Sequence, residues 1–303
     1  MHHGKRNGSL KLLITGASGL LGSKLVELAL DAGHNVTSLH NEHTAKGNET
    51  VRVDLRNAEE VSRILANRAP DAVIHTASIA DVDFCERNPS LAMDVNGKAT
   101  GIIASVCRKL NGFLVYVSSD YVFDGKTGRY SEEDAPNPLN AYGQSKLLGE
   151  RMVSNLASDY CTVRTSVVFG CGHEHRSNLG TWLLERLGTG QNVNVVNDQY
   201  ASPTLSTHLA KMLLEVTERR ITETIHLAGA TRINRYEFAV KLAREFEFNT
   251  GLIVPVTLQS ANWFARRPGD SSLNVEKATQ ILNVKPMTVD DELRDFKKEL
   301  KQR

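Results

Sequence analysis

Short apolar runs alternate, through the first two-thirds of the chain, with longer stretches whose apolar positions return at helical spacing. That alternation predicts parallel strands covered on both faces by crossover helices, an α/β doubly wound parallel Rossmann-like sheet. The runs at 10–15 (LKLLIT), 35–39, 51–53, 72–76, 113–118 (FLVYVS) and 161–168 (CTVRTSVV) are the expected strands. Helices are expected at 20–31, 58–69, 89–110 and 140–156. Asn57, with Glu60 three residues on, has the pattern of a capping box and fixes the start of the second helix.

Beyond 168 the pattern loosens. NLGTWLLERLGTG reads as helix, 193–196 as strand, 205–218 as helix, 224–229 as a buried strand and 235–246 as helix; a strand near 252–254 and a final helix at 289–300 close the chain. This divides the protein into a dinucleotide-binding domain, 1–168 plus 200–228, and a smaller mixed α/β substrate-binding lobe near the C-terminus, 169–199 plus 229–303. A length of 303 residues suits one main domain with such an appendage.

Net charge and thiols narrow the partners. A formal charge of +1, with basic pairs short and scattered, gives no footprint for nucleic acid. Four cysteines without a C-x-x-C pair read as reduced thiols, as in a cytoplasmic protein. No run reaches the ~18 apolar residues of a membrane span, and the apolar run before Gly16 is too brief for a secretory signal. Residues 1–9 read as a polar tail. CGHEH, 171–175, holds Cys171, His173 and His175 but lacks a matching second pair, so no metal is expected and the stretch reads as a cleft loop.

TGASGLLG (15–22) lies where a first strand turns into a first helix, the setting a dinucleotide needs. Gly16 would allow the tight turn, Gly19 a close approach of N–H groups to a pyrophosphate, and Gly22 tight helix packing, with Ser18, Leu20 and Leu21 completing the contact surface. The second strand ends Leu39-His40-Asn41 with no carboxylate until Glu42; lacking a 2′-OH acceptor, and with His40 at hand, the site favours NADP(H), with NAD(H) as the second choice. Asp54 and Leu55 at the third strand end, Thr76, Ala77 and Ser78 at the fourth, and Asn96 are further cofactor contacts.

Tyr142 and Lys146 lie at i and i+4 on one face of the 140–156 helix. An ammonium beside a phenol favours phenolate, and a phenol so tuned can protonate an alkoxide as it forms. VSSDYVF (117–123) ends the fifth strand at the same sheet edge, where Ser119 or Ser118 could steady the developing charge.

TGASGLLG, VSSDYVFDG and YGQSK, in this order, resemble the extended short-chain dehydrogenases/reductases. YSEEDAPNPLNAYGQSKLLGE, NDQYASPT and RPGDSSL are similar to the dTDP-4-dehydrorhamnose reductase branch. The resemblance runs from Leu10 to about 300 and implies reduction of the 4-keto group of a nucleotide-linked deoxysugar. It implies a catalytic set of Ser119, Tyr142 and Lys146, with Asp120 and Tyr121 beside the hexose, Asn178 and Gln199 in the cleft and Arg267 on the substrate's diphosphate. Such a chain would take a nucleotide sugar as its partner, with room for a homodimer. One departure stands out: where the branch often reads T-S-W-V, this chain reads Thr165-Ser166-Val167-Val168 and lacks that aromatic platform.

Two other readings fit the same residues. Sugar-nucleotide dehydratases tend to place Asp-Glu after the triad hydroxyl, whereas Ser119 is followed by Asp120-Tyr121; epimerases typically hold NAD. The non-catalytic regulatory β subunit of methionine adenosyltransferase shares the Tyr/Lys pair and an S-S-D-Y-V-F-D-G stretch. DQYASPT is closer to the reductases than to that subunit.

Overall fold

The computed structural model describes residues 8–172 and 177–302. Strand β1 (Lys11–Thr15) leads through α1 (Leu20–Asp31) to β2 (Asn35–His40) and β3 (Glu49–Arg52), then through α2 (Ala58–Arg68) to β4 (Ala72–His75). Two short helices, α3 (Val82–Arg87) and α4 (Pro89–Ala92), precede a π-helical stretch at Met93–Lys98 and α5 (Ala99–Leu110). After β5 (Phe113–Ser119) come α6 (Ala141–Leu156) and β6 (Tyr160–Thr165).

The second half alternates short strands with helices: β7 (Val168–Phe169), α7 (Leu179–Gly188), β8 (Val193–Val196), β9 (Tyr200–Ala201), β10 (Thr204–Leu205), α8 (Ser206–Arg219), β11 (Glu223–His226), β12 (Ile233–Asn234) and α9 (Arg235–Glu245). β13 (Ile253–Val256), α10 (Glu276–Ile281) and α11 (Val289–Lys301) complete it.

Seven strands form one parallel sheet in the order β11-β6-β5-β4-β1-β2-β3. The order reverses between β1 and β4, the crevice where open α/β sheets bind ligands outside their carboxyl ends. Thr15 pairs with both Leu39 and His75, so the ends of β2, β1 and β4 lie level and the turns after them share one edge.

Period-two alternation explains why helices cover both faces. Leu12 and Ile14 of β1 bury with Val115, Val163, Leu25 and Leu213 under α1 and α8, while Leu13 buries with Leu39, Leu65, Ile103 and Leu114 under α2 and α5. The lobe has its own core around Phe169, whose ring meets Phe238 at 5.1 Å and Phe296 at 5.5 Å, both edge to face.

Three elements differ from expectation. The strand expected over 161–168 breaks after Thr165: Val167 takes a φ of 37°, and β7 pairs with β10 instead of extending the main sheet. The cause is contact with distant segments: Ser166 gives its hydroxyl to Asp120, and its carbonyl accepts Thr204 Oγ1 at 2.8 Å. The helix expected over 89–110 contains the π-helical stretch, where Asn96 turns inward to hydrogen-bond both backbone groups of Ile79. Helix α10, in the stretch assigned to the lobe, sends Ala278 and Leu282 into the main core beside Leu12 and Ile14.

α6 crosses the sheet closely at Gly149, where a Cβ would stand 2.2 Å from Tyr116 Oη and 2.7 Å from the Asn96 carbonyl oxygen. Gly149→Ala is therefore expected to lower stability by about 1–3 kcal/mol through overpacking, read as a fall in the urea midpoint with an unchanged m-value. An unshifted midpoint would show that Tyr116 yields freely.

Candidate active site

The glycine turn is shaped by space as well as by φ. Gly16 has φ +65°, and a Cβ there would lie 2.7 Å from Ala77 Cα; one on Gly22 would lie 2.1 Å from the Gly16 carbonyl oxygen. Gly19 N–H donates to that carbonyl at 2.9 Å and caps α1 without a side chain. The first-turn N–H groups of Leu20, Leu21 and Gly22 therefore keep no intrahelical partner, and no acidic side chain occupies that turn. Ser18 lies half-buried in the turn.

Along the same edge, His40 ends β2 half-buried, and its Nδ1 is a buried atom with no hydrogen-bond partner. A cradle that any Cβ would fill, open helix N–H groups and an unpartnered imidazole nitrogen fit a phosphorylated dinucleotide. Asp54 is clasped by Arg56, whose Nε lies 3.0 Å from either carboxylate oxygen and holds the carboxyl below its usual range. Leu55 and Ser78 are half-buried at this edge. Thr76 Oγ1 donates to the Thr15 carbonyl at 2.7 Å, and Ala77 N–H to Thr15 Oγ1 at 3.3 Å, locking the β4 turn against the β1 turn. Asn96 Nδ2 donates to Ile79 O and to Ser145 Oγ.

Asn140 starts α6 by accepting Gly143 N–H at 2.8 Å, which aims Tyr142 and Lys146 at the end of β5. Of the two strand-end hydroxyls, Ser118 faces away and donates to Glu150 at 2.6 Å, whereas Ser119 stands near the Tyr142 phenol and acts to lower its pKa. Ser119 also donates to Asp120 Oδ1 at 3.0 Å and accepts Tyr121 N–H.

Lys146 is fully enclosed: Nζ donates to the Val117 carbonyl at 2.8 Å and lies 4.4 Å from the centre of the Tyr116 ring. Burial pushes its pKa down to about 7, opposed by the charge of Glu150. Burial also raises the pKa of the Tyr142 phenol, against the lowering influence of the nearby Ser119 hydroxyl. The expected tuning of Tyr142 by a charged neighbour is thus replaced: desolvation governs both groups, and Lys146 is itself poised near neutrality.

Next to Ser119, Asp120 is buried and takes hydroxyls from Ser166 at 2.7 Å and Ser271 at 2.6 Å in addition to Ser119. Burial outweighs these bonds and raises its pKa. The Tyr121 ring stands edge-on to Tyr142 at 5.8 Å, and its oxygen accepts Gln199 Nε2 at 3.3 Å. Asn178 serves elsewhere, capping α7 through Gly180 and Thr181 and clasping both backbone groups of Gly170. Arg267 ion-pairs with Asp83 at 2.8 Å beside Trp263. His173 and His175 lie outside the described residues; Cys171 is buried, and no metal-binding group occurs among the described residues. No described helix is long and apolar enough to cross a membrane.

Several residues at the site escaped the sequence reading. Glu150, one turn beyond Lys146, forms a buried two-point pair with Arg164 at 2.9 and 2.8 Å, and its i+4 spacing from Lys146 was the available signal. Arg235 and Trp263 reach the cleft through the lobe's tertiary packing, which leaves no local pattern.

A family model described as the RmlD substrate binding domain matches residues 10–302. The chain belongs to this family. Among relatives, the probable low-salt glycan biosynthesis reductase Agl14 of Haloferax volcanii is 34% identical over 284 residues, 92% of this chain and 95% of that protein. The NADP complex of dTDP-4-dehydrorhamnose reductase from Bacillus anthracis superposes with a TM-score of 0.87 at 26% identity, covering 96% of this chain and all of that one. Methionine adenosyltransferase 2 subunit beta of Mus musculus is 30% identical over 276 residues, 89% of this chain and 81% of that protein. The RmlD family assignment thus spans sheet and lobe together.

Because Lys146 holds its proton less tightly folded than unfolded, its cost to stability is full below about pH 7 and fades as pH rises toward 10.5. The stability of Lys146→Met relative to the parent is therefore expected to decline across that window, measured by urea midpoints at stepped pH. A pH-independent difference would mean that the lysine titrates normally.

Proposed function

We propose that this chain reduces the 4-keto group of a nucleotide-linked 6-deoxyhexose, using NADPH in preference to NADH. The observation that carries the reading is the convergence of the Ser119 hydroxyl and the Tyr142 phenol, with Lys146 enclosed one turn behind, at the sheet edge that also bears the glycine turn. The Leu20–Gly22 N–H groups hold a pyrophosphate, and His40, with its free nitrogen and no carboxylate beside it, accommodates a 2′-phosphate. A reduced nicotinamide, when bound, supplies hydride to the carbonyl carbon. Ser119 and Tyr142 hold the carbonyl oxygen, and the Tyr142 hydroxyl gives its proton as negative charge collects there. Lys146, close to neutrality, is suited to pass a proton back to the phenolate. The likeness to the methionine adenosyltransferase subunit supports a second reading, a cofactor-binding regulatory protein without turnover.

Purified protein is expected to oxidise NADPH with a dTDP- or UDP-linked 4-keto-6-deoxyhexose. Tyr142→Phe should lower that rate by about 10²–10⁴-fold while NADPH affinity changes little. Tight NADPH binding with no turnover on any such sugar would favour the regulatory reading. A His40→Asp variant should shift preference toward NADH, read as the ratio of kcat/KM for the two cofactors; an unchanged ratio would remove His40 from the 2′-phosphate.

A further inference from the structure

A chain of side-chain contacts leads from Tyr142 outward to the half-buried Arg235 and Trp263. Tyr142 touches Tyr121, Tyr121 Oη accepts Gln199 Nε2, and Gln199 Oε1 accepts Arg235 Nε at 2.6 Å. The Arg235 guanidinium then lies 5.7 Å from the Trp263 ring centre, and Arg267 lies 5.2 Å from the same ring. A half-buried indole is thus flanked by two cations.

Their donors are far from satisfied. A guanidinium has five N–H groups. Among the described residues Arg235 spends one, on Gln199, and forms no ion pair; Arg267 spends two, on Asp83 and the Ala265 carbonyl. Two like charges share one aromatic ring; Asp83 pairs with Arg267, while Asp120 acts on Arg235 only through space and takes its hydrogen bonds from three serines, so the donors left over favour an added anion. Forked donors suit a diphosphate, and the indole offers a surface for a planar ring.

We propose that Trp263 is the platform on which the substrate's nucleotide base stacks and that Arg235 is the second guanidinium, opposite Arg267, for its diphosphate. This rests on the nucleotide-sugar reading of the site. It places the hexose at Tyr121 and Tyr142, the diphosphate at Arg235 and Arg267, and the base outermost. The aromatic surface comes from the 257–268 loop in a chain that has Val167 where its branch often carries tryptophan.

The chain has two tryptophans, and the other, Trp182, packs against the lobe core. In a Trp182→Phe background, emission therefore reports Trp263 alone. Titration with dTDP or UDP is expected to quench it saturably. Trp263→Ala and Arg235→Gln should each weaken dTDP binding about tenfold, ~1.4 kcal/mol, while Trp263→Phe stays within about threefold of its parent. NADPH affinity and the urea midpoint should be unchanged in all three. If calorimetry finds dTDP bound with unaltered emission and equal affinity in Trp263→Ala, the platform is wrong and the reductase reading stands. Turnover of a keto sugar without measurable binding of either nucleotide also sinks the platform alone. Absence of nucleotide binding together with absence of turnover, in protein that binds NADPH, overturns both.

Discussion

The carboxyl group of Asp120 ties the carboxyl edge of the sheet to the lobe. Hydroxyls from three distant parts of the chain converge on it: Ser119 at the end of β5, Ser166 at the break after β6, and Ser271 in the C-terminal segment. No ion pair neutralises it among the described residues, so its burial is tolerated only because each oxygen is hydrogen-bonded. Satisfying Asp120 therefore fixes several features together. It orients Ser119, diverts the backbone at Ser166–Val167 out of the main sheet, and holds Ser271 close to the Gln199 and Tyr200 segment, where Ser271 N–H also meets the Tyr200 carbonyl at 3.0 Å. Much of the lobe is built from the chain downstream of that diversion.

The same bond has a consequence for protons. The Ser119 hydroxyl has one hydrogen and already accepts Tyr121 N–H. With Asp120 ionised, that hydrogen goes to the carboxylate, and Ser119 can only accept from Tyr142. With Asp120 protonated, the carboxyl can donate to Ser119 and release its hydrogen toward Tyr142 or a substrate oxygen. Burial pushes Asp120 toward the protonated form, so the direction of its shift bears on which way the hydrogen bonds run.

Much of this was legible in the chain. The sheet was readable because burial on two faces makes β1 and β5 short continuous apolar runs, while α1, α2 and α6 keep helical spacing. The glycine turn was readable because a backbone with φ +65° pressed against Ala77 leaves one residue type suited to it. The features that escaped reading depend on contacts between distant segments. The choice between Ser118 and Ser119 is made by which face of β5 meets Glu150, and the break at Val167 is made by Asp120, which lies 46 residues before its partner Ser166. Asn178 has the composition of a cleft residue, yet its amide is absorbed by a helix cap and Gly170.

Lys146 shows why a motif does not carry its own electrostatics. The i, i+4 spacing puts it behind Tyr142 in any helix, but the environment there is the Tyr116 ring, the Val117 carbonyl and an enclosed pocket. Glu150, the carboxylate that could have kept it charged, is instead gripped by Arg164 at two points and by Ser118. Glu150 still acts to raise the Lys146 pKa, but burial outweighs it. A group balanced near pH 7 can both accept and return a proton at little cost, whereas a permanently charged one would stabilise phenolate and hinder reprotonation.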